Sequence, residues 1–418
     1  MSFFGELISA VFDRRYQSTS SDDVDARTTS ALCNALLSSQ GEVSGIALAR
    51  NVLDRYADMD DEEKIAFFEY MTHELEIEPD KVVISLDAYK KNPGKVTYRA
   101  FATAAEPRRQ ELARRLNQVP GATSKLVTMR KDLLSLVKKH PDLAPLDIDL
   151  QHLFSSWFNR GFLVLRPISW HSPADILEKI IAYEAVHAID SWDDLRLRLK
   201  PSDRRCFGFF HPAMADEPLI FVQVALTRGI PDSIQDLLAD DRKSINAEAA
   251  DTAVFYSISN CQIGLSGISF GNSLIKQVVS DLSRELPSIK TFITLSPIPN
   301  LNSWLSQTST DLLKNASEQA VAAHYLIEAK GSDGMPLDPV ARFHLGNGAL
   351  IHAVHANADT SENGLKQSNG TMVNYLYDLS QISANHEQLL TEKTVITSEE
   401  VNKLSTSAVN KKSGDKNV

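Results

Sequence analysis

Residues 255–301 read FYSISNCQIGLSGISFGNSLIKQVVSDLSRELPSIKTFITLSPIPNL, and this stretch decides the fold. Val254 to Ser259 is a short apolar and aromatic run with the character of a strand, and it is followed by Gly264, Gly267 and Gly271. Leu274, Ile275, Val278, Val279, Leu282 and Leu286 then recur at helical spacing until Pro287 stops the helix. A second strand-like run, Thr291 to Leu295, completes the unit. A glycine loop feeding a helix N-terminus gathers unpaired amide N–H groups and the positive end of the helix dipole, which suits a phosphate. The spacing GLSGISFG is neither the dinucleotide fingerprint nor a Walker loop. Three glycines before a helix also serve as a tight turn and a close packing contact, so spacing by itself does not name a ligand.

On either side of this unit, Phe162 to Leu165, Cys206 to Phe210 and Leu219 to Leu226 read as strands alternating with helices, the pattern of an α/β or α+β sheet domain. The polar run Asp240 to Asn246 reads as a loop before the Val254 strand. The first hundred residues read as helices. Asp60 with Glu63 three residues on is a capping pair, and Ile65, Phe68, Met71 and Leu75 mark one apolar face. Glu106-Pro107 and Val119-Pro-Gly-Ala break the pattern. The expected division is a helical bundle over 1–110, a sheet domain over 111–395, and a polar, disordered tail over 396–418.

A chain of 418 residues with 43% hydrophobic content is large enough for two or three domains with their own cores. A balance of 43 basic to 54 acidic residues, net −11, argues against nucleic-acid binding, yet leaves room for an anionic metabolite held by local positive potential. No apolar run approaches the length of a bilayer span, so no membrane partner is expected. Cys33, Cys206 and Cys261 stand far apart without metal spacing and imply a reducing compartment; the cytoplasm is the expected location. His352 and His355 lack a third ligand at suitable spacing, and no metal is expected.

Several segments together resemble malonyl-CoA decarboxylase: Trp170-His-Ser-Pro, Glu184-Ala-Val-His, Glu217-Pro-Leu, Phe255-Tyr-Ser-Ile-Ser, Gly264-Leu-Ser-Gly, Leu274-Ile-Lys, Leu295-Ser-Pro-Ile-Pro, Arg342-Phe-His-Leu-Gly-Asn-Gly and Asn374-Tyr-Leu-Tyr. Their order and spacing cover about residues 150 to 380. The resemblance implies an N-terminal helical oligomerisation domain, a catalytic domain of the acetyltransferase type, and a homo-oligomer, with a tetramer suggested. It implies malonyl-CoA as the substrate, with coenzyme A held by Gly264, Ser266, Gly267, Gly271, Asn272, Ser273 and Lys276.

Decarboxylating a malonyl thioester needs an oriented carboxylate, donors for the enolate oxygen, and a proton for the α-carbon; the thioester is itself the electron sink, so no cofactor is expected. The resemblance places the proton donor at His344, whose imidazole would titrate near neutrality. It places a serine that contacts the malonyl carboxylate at Ser244, by counting without a gap from Glu217, with Ser257, Ser259 and Ser266 as alternatives nearby. Glu217 is expected to hold His344 or an ordered water, and Tyr377 to donate to the same centre. Two rival functions stay open: acyl transfer from coenzyme A, and a malonyl-CoA-binding sensor without turnover.

Overall fold

The computed structural model describes residues 26–38, 41–268, 274–307 and 316–409. The chain divides into two compact units, 1–122 and 123–418, so the division falls at the Val119-Pro-Gly-Ala break, later than the expected 110.

The described part of the first unit is helical. Asp60 caps the Asp61–His73 helix by accepting from the Glu63 amide at 2.9 Å, while the Glu63 carboxylate accepts from the Asp60 amide at 3.1 Å. That reciprocal pair satisfies two donors a helix start leaves open. Phe68, Met71 and Leu75 are buried as the spacing predicts, together with Leu32, Leu36 and Val52. The hairpin of Pro79–Lys91 and Lys95–Ala104 differs, because neither helix buries a residue.

The second unit is built on a mixed sheet of eight strands: β1 (Val164–Ile168), β2 (Arg204–His211), β3 (Met214–Thr227), β4 (Thr252–Asn260), β5 (Thr291–Thr294), β6 (Ser296–Pro297), β7 (Leu350–His355) and β8 (Met372–Leu376). Their order is β1-β2-β3-β4-β5-β8-β6, with β7 also on β8. Pairs from β1 to β4 are antiparallel, and β4 with β5 is parallel. The Leu274–Glu285 helix supplies the crossover, and its predicted stripe, Leu274, Ile275, Val278, Val279 and Leu282, is buried against Val224, Phe255 and Phe292 of the sheet core. The fold is thus the helical region followed by an α/β domain that the sequence implied.

Two local events position the site. Ser257 pairs with Gln223 and Phe255 with Val224, which leaves Tyr256 as an extra residue in β4, a β-bulge. Pairing of β4 with β5 then ends at Phe255 and Thr294, with a last bond from the Leu295 amide to the Phe255 carbonyl at 3.1 Å. Beyond it the chain joins β8 instead, through Ser296 opposite Val373. A gap therefore opens between two parallel neighbours.

The disordered tail expected over 396–418 requires correction. Thr397 bridges Ile351, and Glu399–Val409 is a helix in which Val401, Ser405 and Ala408 are buried. Val401, Leu404 and Ala408 fall on one face at helical spacing, a stripe that the surrounding Lys, Asn and Ser obscure. Residues 410–418 lie outside the described residues.

Candidate active site

The gap after Phe255 and Thr294 is a cavity of about 250 Å³, with Tyr256 and Ile258 of β4 on one wall, Ser296 and Pro297 on another, and Val340 and His344 of the Pro339–Gly346 helix closing it. That helix starts where Asp338 accepts from the Val340 amide at 2.9 Å and the Ala341 amide at 3.0 Å, with Pro339 at the first position, where no amide donor is missed. Burial raises the Asp338 carboxyl to about 6. One and a half turns later the same helix delivers His344 to the cavity.

His344 is 4% exposed. Its Nε2 lies 3.2 Å from Ser296 Oγ and its Nδ1 2.8 Å from the Tyr377 hydroxyl. Ser296 donates its own proton to Thr294 Oγ1 at 2.8 Å. With that proton committed, the Ser296 oxygen accepts from Nε2–H, and Nδ1 accepts from the Tyr377 phenol, so the network assigns the tautomer. Burial lowers the imidazole to about 3 and raises the Tyr377 phenol. His344 is therefore neutral near pH 7, a correction to the expectation that it titrates there. Burial penalises the imidazolium, and no carboxylate is bonded to the ring to offset that penalty.

Tyr377 joins His344 as expected, while the other proposed participants go elsewhere. Glu217 accepts from Lys179 Nζ at 2.8 Å and from the Tyr183 hydroxyl at 3.2 Å, so its carboxylate is occupied on the Ala174–Tyr183 helix and does not hold His344. Ser244 lines a separate depression with Arg198, Arg204 and Arg242. Its neighbour Ile245 donates to Asp203, beside Leu226, whereas Ile220 is on the His344 cavity. Those two residues are six apart on β3, about 20 Å along the strand. Gapless counting from Glu217 fails to bring Ser244 to the histidine because the β3–β4 connection runs to the opposite end of the strands.

The alternatives Ser257 and Ser259 are buried on Glu184: Ser257 donates to its carboxylate at 2.7 Å and Gln223 Nε2 does so at 2.7 Å. Ser266 is exposed. The serine that does meet His344 is Ser296, which sequence reasoning passed over although Leu295-Ser-Pro-Ile-Pro was among the matching segments. Its only signal was position, directly after the strand that parts from β4.

The glycine loop serves packing before it serves a ligand. A Cβ on Gly264 would lie 1.9 Å from the Val127 carbonyl oxygen, so backbone approaches backbone there. Arg130, 1% exposed, donates to the Gly264 carbonyl at 2.8 Å and the Ser266 carbonyl at 2.9 Å while its Nε pairs with Asp147 at 2.7 Å. Gly267 has φ +76, a left-handed conformation that favours glycine, and its carbonyl accepts from Gln151 Nε2 at 3.1 Å. Lys276 is half-buried in the first turn of the following helix. Gly271, Asn272 and Ser273 lie outside the described residues.

Residues 76–158 match the family model Malonyl-CoA decarboxylase N-terminal domain, and residues 161–321 and 308–415 match Malonyl-CoA decarboxylase C-terminal domain. The mitochondrial malonyl-CoA decarboxylase of Anser anser anser is 36% identical over 71% of this chain and 69% of its own length. That of Rattus norvegicus is 33% identical over 71% of each. The crystal structure of malonyl-CoA decarboxylase from Rhodopseudomonas palustris superposes with a TM-score of 0.85 at 47% identity, covering 90% of this chain and 98% of that one. The structure from Agrobacterium vitis gives the same TM-score of 0.85 and 47% identity, over 90% and 99%. With both domain models matched in order along the chain, this protein belongs to the malonyl-CoA decarboxylase family.

Proposed function

We propose that this chain is a carboxy-lyase that converts malonyl-CoA to acetyl-CoA and carbon dioxide, with the reacting thioester in the gap between β4 and β5. The observation that carries the reading is the bonded series Tyr377–His344–Ser296 on the wall of that gap. Cleavage of the bond between the α-carbon and the carboxylate leaves its electron pair on the thioester as an enolate, and the α-carbon then takes one proton. In turnover the Ser296 hydroxyl turns from Thr294 to the α-carbon and gives up its proton, takes the Nε2 proton of His344 in exchange, and solvent returns one proton to the pair. Because His344 is neutral, it acts as an N–H donor whose orientation Tyr377 fixes. Ser296 replaces Ser244 in the proposed catalytic set.

The reading needs no metal or redox cofactor, since the thioester accepts the electron pair. Coenzyme A is assigned to the loop 264–273 and the start of the Leu274–Glu285 helix, where the positive end of the helix dipole suits a pyrophosphate. Release of carbon dioxide and acetyl-CoA in equal amounts from malonyl-CoA by metal-stripped protein is the expected result. Binding without release would return the chain to the sensor reading, and transfer of the acyl group to an amine would indicate an acyltransferase.

The exposed Val83, Ile84, Val96 and Tyr98 on the first unit's unburied hairpin support a homo-oligomer. Light scattering at micromolar concentration tests it; a monomer there would remove it. The three free, buried cysteines support a cytoplasmic location, which fractionation checks against the mitochondrial location in the animal relatives' names.

A further inference from the structure

We propose that the His344 cavity takes the malonyl carboxylate into surroundings without a compensating cation, and that escape from this unfavourable burial as carbon dioxide supplies a substantial part of the rate. This inference rests on the decarboxylase reading above and names how the same site discriminates against its own substrate's charge.

The lining carries it. Val186, Ile220, Phe255, Ile258, Pro297 and Val340 give the cavity an apolar surface, and Asn260, Ser296, Tyr256 and His344 give it neutral polar groups. Among the described residues lining it, there is no lysine or arginine. The imidazole, depressed by burial, adds no positive charge near neutral pH. Beside the lining along the chain, Glu184 stands two residues before Val186, bonded to Ser257 and Gln223, Asp338 stands next to Pro339, burial lowers the His187 imidazole next to Val186, and the Arg342 guanidinium next to Phe343 is held by Asp333 at 2.9 Å.

A protein built only to retain malonyl-CoA gains most from a guanidinium opposite the carboxylate, because a bidentate pair is strong and oriented. This cavity offers the opposite. A carboxylate moved from water into it loses hydration that a few neutral donors replace incompletely. In the reaction the bond from the α-carbon to the carboxylate carbon breaks, and its electron pair moves toward the thioester carbonyl. The group in the cavity becomes neutral carbon dioxide, and one proton from solvent ends on the α-carbon. The charge thus leaves the apolar wall as the barrier is crossed, so the ground state is penalised more than the transition state.

Placing a cation in the cavity tests the idea. Val340 is half-buried on the lining, and arginine there stays charged. Malonyl-CoA affinity is expected to hold or tighten in Val340→Arg while kcat falls by about 100-fold, within the range of such ground-state effects. Val340→Met, long but uncharged, measures the loss due to bulk alone, and the kcat of Val340→Arg is expected to lie at least about tenfold below it. Acetyl-CoA affinity, equal in all three, reports an intact fold and coenzyme A site. If Val340→Arg loses acetyl-CoA binding, Phe343→Arg at a position 37% exposed serves instead. Wild-type or higher kcat in the arginine variant would overturn the proposal, as would an equal loss in Val340→Met. Absence of carbon dioxide release by wild type would instead reject the function from which the proposal starts.

Discussion

The rings of His344 and Tyr375 lie face on face, with centroids 4.6 Å apart and planes 23° from parallel. Tyr375 lies in β8 and Tyr377 is the first residue past its end; one stacks on the imidazole while the other bonds its Nδ1. The histidine is thereby held in plane and in azimuth by one strand and the residue that follows it. Its remaining nitrogen has one direction left, toward Ser296 and the cavity.

Removing the imidazole is expected to stop chemistry without disturbing affinity. His344→Asn should lower kcat by about 100-fold or more while acetyl-CoA affinity stays near wild type. Steady-state kinetics with a parallel binding titration checks both. Unchanged kcat would take His344 out of the mechanism.

The pH profile follows from the depressed imidazole. Because His344 is lowered to about 3, kcat should show no inflection from this residue near 6.5, where an ordinary histidine titrates. Stability has a matching sign: the unfolded chain takes up the proton near 6.5 and the folded chain only near 3, so this contribution is present above 6.5 and is lost as pH falls through that window. Imidazole chemical shifts followed from pH 8 to 4 report the titration directly, and a midpoint above 6 would contradict the assignment.

Tyr377→Phe keeps the ring and deletes the bond to Nδ1. Turnover should fall by about 10- to 100-fold, the scale of a misoriented group, with KM little changed. A loss confined to KM would instead make the phenol a binding group.

Asp338 gives the opposite pH dependence. Its carboxyl is raised to about 6, so ionisation opposes folding increasingly as pH rises from the unfolded value of 3.8 through 6. Asparagine retains the capping oxygen without the charge. Asp338→Asn should match wild type in thermal stability near pH 4 and exceed it at pH 8; equal stability at both values would place the carboxylate in a better-solvated environment.

Gly264→Ala forces a methyl group against the Val127 carbonyl oxygen. A loss of stability of about 3 kcal/mol is expected from overpacking of this kind, measured by denaturant unfolding. An unaffected protein with weakened coenzyme A binding would show that Gly264 faces ligand rather than helix.

Much of this arrangement was readable in the residues. The stripe Leu274 to Leu282 fixed the crossover helix, and the Val254 and Thr291 runs fixed the parallel strands it joins. The strands Leu350–His355 and Met372–Leu376 were not read, because His352, His355 and Asn374 interrupt their apolar alternation, although β7 and β8 complete the site. His344 and Tyr377 were found through matching text. Ser296 was missed because nothing local distinguishes it from Ser257 or Ser259; only the parting of β5 from β4 turns it toward the histidine. Ser244 was misplaced by counting along a connection whose path spacing does not encode, and Glu217 by a motif that cannot show Lys179 opposite.

Arg130 reaches carbonyls 134 and 136 positions further along the chain. Such remote partners meet late in folding, since closing a long stretch of chain precedes any gain from the contact. Ser266 follows β4 in the chain, so during synthesis the Arg130 guanidinium gains its full set of carbonyl partners only after the strands β1 to β4 have left the ribosome.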